Sequence, residues 1–253
     1  MNDAVKAFWD QQALQHGISD LATAPDHYYR ELEISHIKEH LPFAARVLDV
    51  GCGNGYSTLA FAEHLPLSSF IIGIDYSEEM IAQAKTREHA RYIKFELADI
   101  TKPLPYGKFD CIISERCLIN LANWQEQQQA ILRLRSHLAK GGRLILVENT
   151  LAGLNALNSL RAIFGLSPIE MRWHNNYLPE EIDDFLLDNF NVMHAENIGN
   201  LYYIISRVVY AAICAQQSGL PPDYNDIHNM IAAKLPSLGD YNYSPNWLWV
   251  LSV

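Results

Sequence analysis

The chain has few cysteines, and their positions suit neither a disulfide framework nor a zinc site. The 253 residues include 4 cysteines, Cys52, Cys111, Cys117 and Cys214, and no two of them form a CxxC pair. Each lies in a segment with the pattern of a strand or helix, so we expect reduced, packed thiols, as in a cytoplasmic protein.

Long apolar runs and a basic surface are also missing. The longest apolar runs, such as 144–147, are too short to cross a bilayer, and the N-terminal MNDAVKAFWD lacks a basic region followed by an apolar one. Lysine and arginine are scattered, and the formal net charge of -10 would repel a phosphate backbone. We therefore expect a cytoplasmic protein that binds no membrane and no nucleic acid, and whose ligand is a small molecule.

What the chain does contain is a regular alternation of strand-like and helix-like segments. With 49% hydrophobic and 19% charged residues it can form one sizeable core. The strand-like segments are VLDV (47–50), FIIGID (70–75), YIKFELAD (92–99), FDCIIS (109–114) and RLILVE (143–148). Helices are predicted between them, from Ser77 to Glu88 and from Trp124 to Ala139, the latter ended by Gly141 and Gly142. This order predicts an α/β fold with a parallel sheet.

Two regions lie outside this alternation. Residues 1–40 read as two helices around an irregular DLATAPDHYY, and they are predicted to form a lid over one edge of the sheet. After Glu148 come a polar segment and a helix from Pro179 to Phe190. Two further strands, Tyr202–Ser206 and Asn246–Val253, are predicted to form an antiparallel pair beside the fifth strand, with a helical insertion at about 208–242 between them.

The segment VLDVGCGNGYST, residues 47–58, places three glycines directly after a buried strand. Gly51, Gly53 and Gly55 permit positive φ and remove Cβ atoms, so the turn can bring its backbone close to a ligand. Nicotinamide-dependent enzymes use G-x-G-x-x-G, whereas the spacing here is G-x-G-x-G. Asp75, at the end of the next strand, suits a ribose diol with either kind of cofactor and does not decide between them.

The successive segments VLDVGCGNG, IIGIDYS, ELADI, FDCIIS and LAKGGRLILV resemble the motifs of class I S-adenosylmethionine-dependent methyltransferases. The resemblance covers about residues 45–150 and includes the predicted terminal strand pair. It implies a Rossmann-like, doubly wound sheet, mostly parallel, with an N-terminal helical lid (1–40) and a methyltransferase domain (41–253). In that domain, 150–200 would face the substrate, and the insertion would either cover the pocket or form a homodimer contact.

The resemblance also implies a set of residues for the methyl donor, S-adenosylmethionine, whose product is S-adenosylhomocysteine. They are Asp49, Gly51, Cys52, Gly53, Asn54, Gly55, Asp75, Tyr76, Met80, Asp99, Ile100, Ser114 and Glu115. Asp49 and the glycine turn would meet the methionine part, and Asp75 would hold the ribose. Asp99 would bind adenine. Structural alternatives stay open, because Asp49 could cap local backbone, Asp99 could start a turn and Met80 could be ordinary core.

The variable segments supply candidates for the methyl acceptor. His174, Glu115 and Arg116 are candidate catalytic residues, with a structural histidine and a local ion pair as the alternatives. Candidate substrate-binding residues are Tyr28, Tyr29, Arg30, Trp173, Asn175 and Tyr177. We expect a small-molecule acceptor, namely a hydroxyl of a sugar or natural-product-like metabolite, and no metal.

Other functions remain open at this point. On the same scaffold they are N-methylation of a small amine, aminopropyl transfer and binding of S-adenosylmethionine without turnover. A nucleotide-dependent oxidoreductase is disfavoured because the nicotinamide spacing is missing. Base-modifying amino-methyltransferases carry D/N/S-P-P-Y/F after the fourth strand, whereas this chain has SERC, residues 114–117.

Overall fold

The computed structural model describes residues 2–43, 45–88, 92–217, 219, 221–239 and 241–253, and these contain one mixed sheet. Its strands are β1 Arg46–Val50, β2 Phe70–Asp75, β3 Ile93–Leu97, β4 Phe109–Glu115, β5 Leu138–Asn149, β6 Asn191–Asn197 and β7 Asn246–Ser252. Their order is β3-β2-β1-β4-β5-β7-β6. The first five run parallel, and β7 lies antiparallel between β5 and β6. The predicted fold class is confirmed.

Helices pack on both faces of this sheet. They are α1 Asp3–His16, α2 His27–Glu39, α3 Tyr56–His64, α4 Glu78–Lys85, α5 Trp124–Ser136, α6 Leu151–Ile163, α7 Ile182–Asn189, α8 Asn200–Tyr203, α9 Tyr210–Gln217 and α10 Ile227–Ala232. Short polar side chains cap the start of six of them, α1, α2, α4, α5, α6 and α10. Ser77 Oγ accepts from the amide of Met80 at the start of α4, and Asn123 Oδ1 accepts from that of Glu126 in α5. Both satisfy amides that a helix start leaves unpaired.

The hydrophobic core has two layers, one on each face of the sheet. Successive side chains of β1 point to opposite faces because the side-chain period of a strand is two residues. Val47 packs with Ile34 of α2 and Phe61 of α3, whereas Leu48 packs on the layer that includes Ile131 of α5. Asp49 therefore points to the side of α2 and α3, and this orientation determines its place in the candidate site.

One predicted strand is wrong. Tyr202–Ser206 is helical, since α8 continues through a π-helical segment, Ile204–Val209, into α9. The partner of β7 is instead β6, which comes earlier in the chain. An aromatic and β-branched run such as YYIIS suits either structure by composition. Here the buried Tyr202 hydroxyl donates to Asp26 at 2.6 Å, a long-range contact that local sequence does not reveal.

Two predicted helix ends also differ. α5 ends at Ser136, and β5 begins at Leu138, so Gly141 and Gly142 lie within the strand and not at a helix stop. The register between β4 and β5 shifts in this region, between Phe109 and Cys111. The helix predicted from Pro179 to Phe190 is the shorter α7.

Among the residues that the structure describes, no helix combines the length and apolar character needed to cross a bilayer. All four cysteines have free thiols.

A substitution at Gly153 in α6 can test how closely this helix packs against its neighbours. A Cβ atom at this position would lie 2.2 Å from the carbonyl oxygen of Ser244 and 2.7 Å from Cα of Pro245. Alanine normally stabilises a helix relative to glycine by about 1 kcal/mol. Because backbone must move here, we expect Gly153→Ala to lower the free energy of unfolding by about 1–3 kcal/mol, measured by urea denaturation.

Gly107→Ala is the matched control for this substitution. The nearest atom to a Cβ at position 107 is Nη1 of Arg46, at 3.8 Å. Its stability should stay within about 0.5 kcal/mol of wild type. A Gly153→Ala protein as stable as this control would contradict the close packing of α6 on the segment before β7.

Candidate active site

A cavity of about 300 Å³ lies at the carboxyl ends of the central strands. Residues that follow β1, β2, β4 and β5 form its floor, including Gly51, Tyr76, Arg116 and Asn149. Trp9 of α1 and the start of α2 close it from the N-terminal side. In doubly wound sheets the ligand site lies at this edge, where strand order reverses.

The glycine turn lies against other parts of the protein as well as the cavity. Gly51 and Gly53 have φ of +73° and +53° and line the cavity. A Cβ at Gly51 would lie 2.6 Å from Sγ of Cys117, and one at Gly53 would lie 2.7 Å from Cγ2 of Thr23. Glycine is therefore needed at both positions for conformation and for space.

The Asp75 carboxylate links this turn to α4. Its Oδ2 accepts from the amide of Gly53 at 3.0 Å, and its Oδ1 accepts from the amide of Ser77 at 2.8 Å. Burial raises the pKa of Asp75 to about 6, although these amide hydrogen bonds oppose the shift. Each oxygen keeps a further lone pair, so the carboxylate can still accept from a ligand in the cavity.

Asp49 lies beneath the turn, and its side chain is 2% exposed as part of the cavity wall. Its Oδ2 accepts from the hydroxyl of Thr58. Burial raises the pKa of Asp49 to about 7; the Thr58 hydrogen bond opposes this shift, and the nearby carboxylates of Glu115 and Asp75 add to it. A cation placed in the cavity would be attracted to this group and would favour its ionised form.

Four charged side chains, Arg30, Glu33, Glu115 and Arg116, form a buried cluster beside Asp49. Nε of Arg30 lies 3.6 Å from Oε1 of Glu115, and Nε of Arg116 lies 3.2 Å from Oε1 of Glu33. Among the described residues, neither arginine Nε nor Oε1 of Glu115 has a partner at hydrogen-bond distance. Buried polar atoms without partners are rare, so these are candidate ligand contacts.

Glu33 is the member of this cluster that the sequence analysis missed. It is fully buried, and Asn246 of β7 donates to its Oε1 at 2.5 Å. Burial raises its pKa to about 7; Arg116 and Arg30 oppose the shift, and Glu115 adds to it. The available signal was helical spacing, because Glu33 lies three and four residues after Arg30 and Tyr29 and four before Ile37, on the buried face of α2.

A second buried ion pair also lines the cavity. Asp26, at the start of α2, pairs with Arg207 of the π-helical segment, whose guanidinium carbon lies 4.0 Å from the ring centroid of Tyr224. All three residues line the cavity. None of them was predicted from the sequence, and Arg207 directly follows the segment that was predicted to be a strand.

His174 reaches the cavity within an aromatic cage. Its ring stacks on Phe8 with centroids 4.2 Å apart and meets Trp9 edge to face at 5.5 Å. Burial lowers the pKa of His174 to about 4, with the positive charge of Arg172 adding to the effect. The ring is therefore neutral near pH 7, and its buried Nδ1 has no hydrogen-bond partner in the part of the chain that the structure describes.

The N-terminal segment is fastened over the glycine turn by side-chain hydrogen bonds. Nδ2 of Asn54 donates to the carbonyl oxygens of Gly17 and Ser19 at 2.9 and 2.7 Å. The indole of Trp9 donates to Oδ1 of Asn120 at 3.2 Å. Opening the cavity on this side would therefore break specific hydrogen bonds.

The cavity brings together most of the residues predicted from the sequence. Those that line it are Asp49, Gly51, Cys52, Gly53, Asp75, Tyr76, Met80, Glu115, Arg116, Tyr29, Arg30, His174, Asn175 and Tyr177. Ile100 lines a small adjoining cavity that Tyr76 also borders.

Besides Ile100, six predicted residues lie outside the wall of the main cavity: Asn54, Gly55, Asp99, Ser114, Tyr28 and Trp173. Asn54 anchors the lid, and a Cβ at Gly55 would meet the ring of Phe95. Oδ1 of Asp99 accepts from the amide and hydroxyl of Thr101, whereas Ser114 donates to Glu148. Trp173 is 65% exposed.

A family model described as a methyltransferase domain matches residues 44–208, more than half of the chain. The chain belongs to this family. The resemblance to class I S-adenosylmethionine-dependent methyltransferases is thereby confirmed.

Sequence similarity to individual proteins covers a smaller part of the chain than structural similarity does. The malonyl-[acyl-carrier protein] O-methyltransferase of Bacillus cytotoxicus is 37% identical over 103 residues, which are 40% of this chain and 34% of that protein. The chain spans about a third of the length of the curated relatives it matches.

Two solved structures share the fold over nearly the whole chain. A Haloferax volcanii methyltransferase, in complex with the Trm112 methyltransferase activator, has a TM-score of 0.62 at 17% identity and covers 100% of this chain and 98% of its own. The N-methyltransferase NodS of Bradyrhizobium japonicum WM9, in complex with S-adenosylhomocysteine, has a TM-score of 0.59 at 14% identity and covers 96% and 97%.

The raised pKa of Asp49 predicts how stability depends on pH. Because the folded pKa of about 7 exceeds the unfolded value of 3.8, the folded protein holds a proton that the unfolded chain releases between these values. Its contribution to the free energy of unfolding should therefore fall by about 1.4 kcal/mol per pH unit as the pH rises through this window.

Asp49→Asn removes this titration and can still accept from Thr58. The variant should gain stability relative to wild type by about 1.4 kcal/mol per unit between about pH 5 and 6.5, measured by denaturant unfolding at each pH. If the free energy of unfolding changes with pH in the same way in the two proteins, Asp49 is already ionised in the folded state.

Proposed function

We propose that this protein is an S-adenosylmethionine-dependent methyltransferase that methylates a hydroxyl group of a small, polar, sugar-like molecule. The observation that supports this proposal is the composition of one cavity. One group of lining residues, which we call the first or donor end, comprises the Gly51–Gly53 turn, Asp49 and Asp75. A second group, which we call the second or acceptor end, comprises polar and aromatic side chains from the lid, the insertion and the segment after β5.

The first end suits the donor. Asp75 would accept from both ribose hydroxyls, and Asp49 with the glycine backbone would face the cationic methionine part. The adenine would pack against Tyr76 and Met80, beside Ile100 and Asp99. Among the described residues, the buried Tyr76 hydroxyl has no hydrogen-bond partner, so it can pair with a polar group of a ligand. Gly51 and Gly53 line the cavity with backbone.

The second end suits a polyol. Asn149 Oδ1 is buried and has no hydrogen-bond partner among the described residues, and Asn175, Tyr177 and Tyr203 add donors, acceptors and aromatic faces. Amide and phenol groups of this kind recognise neutral hydroxyls by direction, while aromatic rings cover the apolar faces of a sugar. Among the predicted substrate residues, Tyr29 and Arg30 also border this space.

When bound, S-adenosylmethionine supplies an electrophilic methyl group that a nucleophile displaces in line. The acceptor oxygen forms a bond to the methyl carbon as the carbon–sulfur bond breaks, and the hydroxyl proton must leave. We assign proton removal to Glu115, whose buried Oε1 has no hydrogen-bond partner among the described residues. Arg30, whose Nε lies 3.6 Å from this oxygen, would hold the carboxylate in place.

His174 has a different role in this proposal from the base suggested by its sequence context. With a pKa of about 4 it is a weak proton acceptor near neutral pH. A neutral imidazole can still accept a hydrogen bond at Nδ1, so His174 would orient the acceptor hydroxyl. Its stacking on Phe8 would couple this orientation to closure of the lid.

Binding of the donor tests the first half of the proposal. Asp75→Ala removes two charge-assisted hydrogen bonds to the ribose, each worth about 1.5 kcal/mol or more, so affinity for S-adenosylmethionine should fall by about 100-fold or more by calorimetry. Asp188→Ala, an exposed position on α7, is the control and should bind as wild type does. NADH should not bind. An unchanged isotherm for Asp75→Ala, with its circular dichroism retained, would remove the ribose role.

The acceptor class is tested with labelled methyl donor and panels of sugars, amines and carboxylic acids. We expect transfer to a hydroxyl, giving a methyl ether that survives mild alkali, whereas a methyl ester would hydrolyse. Glu115→Gln should lower kcat by about 10²–10⁴-fold, since a general base contributes that much. Methylated amine or ester products, or a kcat that does not depend on Glu115, would contradict the acceptor assignment. Saturable donor binding without transfer to any panel would favour a binding module.

A further inference from the structure

A second group of side chains with metal-binding chemistry lies outside the cavity, where the end of α2 passes the edge strand β6. His36 and His40 are one helical turn apart, and His194 and Glu196 are two residues apart on one face of the strand. Among the described residues, the ligand atoms of His40, His194 and Glu196 all lie within 4.8 Å of one another.

The distances within this group are close to those of a coordination sphere. Nε2 of His194 lies 3.7 Å from Oε1 of Glu196, and the rings of His40 and His194 have centroids 4.8 Å apart. In tetrahedral zinc sites, bonds of about 2.1 Å place ligand atoms about 3.4 Å apart. Small side-chain rotations would therefore bring these atoms around a single ion.

His36 adds support for the carboxylate. Its Nδ1 lies 2.9 Å from Oε1 of Glu196, a hydrogen bond that orients the Glu196 side chain toward the two other histidines. Such supporting hydrogen bonds are typical of metal-bound carboxylates. Glu196 and His36 are 25% and 22% exposed and His194 is 43% exposed, so an ion can reach the group from solvent.

The local charges partly oppose and partly favour a cation. Arg143 donates to the carbonyl oxygen of His40 at 2.9 Å and places a positive charge nearby. The negative charge of Glu196 offsets it, and Glu39 lies close enough to interact with His36 and His40. Two imidazoles and a carboxylate form a donor set that suits zinc and similar divalent transition metals better than calcium or magnesium.

We propose that His40, His194 and Glu196 bind one zinc ion, with water completing the coordination sphere, and that the ion cross-links α2 to the edge of the sheet. The site is independent of the proposed methyl transfer. Because α2 also carries Arg30 and Glu33, the bound ion would stiffen the helix that forms one wall of the cavity. An ion that binds only the folded chain also raises stability by mass action.

The test uses the full chain without a histidine tag, stripped with EDTA. We expect zinc chloride to bind at one equivalent by calorimetry and to raise the Tm, and cobalt chloride to give the visible absorption bands of tetrahedral cobalt. His194→Ala and Glu196→Gln should each weaken zinc affinity by about tenfold or more. His64→Ala, an exposed histidine at the end of α3, is the matched control and should bind zinc as wild type does.

Binding of zinc with equal affinity by wild type, His194→Ala and Glu196→Gln would overturn the proposal, as would the absence of saturable binding to wild type. Circular dichroism of each apo variant establishes that it is folded. Because Glu196→Gln preserves the shape of its side chain, it separates loss of a ligand from local unfolding. None of these measurements depends on methyl transfer.

Discussion

The architecture of the cavity depends on the buried charges of one helix, α2. Asp26 pairs with Arg207 of the insertion, Arg30 lies against Glu115 after β4, and Glu33 meets Arg116. Charges taken out of water are costly unless they are paired, so each partner must be in place for the others to be tolerated. The lid helix, the insertion and the sheet edge therefore form one electrostatic unit, and the cavity is the space between them.

This unit also explains an unusual backbone conformation. Arg116 has a φ of +50°, the left-handed region that favours glycine. Its amide donates to the carbonyl oxygen of Val147, and its side chain lies against the fully buried Glu33. A non-glycine residue is held there only when its surroundings compensate, and such residues cluster at functional sites. The ion pair with Glu33 thus helps to hold Arg116 in a strained backbone conformation.

Sequence reasoning succeeded where structure is local and failed where it is long-range. Strands β1 to β4, the glycine turn and Asp75 could be predicted because apolar runs, glycine spacing and the register of successive strands are local features. The pairing of Glu33 with Arg116, and of Asp26 with Arg207, joins segments far apart in the chain. The Tyr202 segment had strand composition, but its burial against α2 decided for helix. Asn54, predicted to bind the cofactor, also donates to the carbonyl oxygens of Gly17 and Ser19 in the lid, a contact that local sequence does not reveal.

The two ends of the cavity differ in the same way, because one is built largely from local structure and the other from contacts between distant segments. The end assigned to the donor is built largely from backbone and carboxylates between β1 and β2, within the part of the chain that the family model matches. The end assigned to the acceptor also draws on Trp9, Tyr29 and Tyr224, which lie outside residues 44–208. Membership of the family therefore says more about the residues of the donor end than about those of the acceptor end. Since the second end is held by ion pairs with α2, a change in acceptor would require coordinated changes in the lid and the insertion, not a single substitution in the cavity.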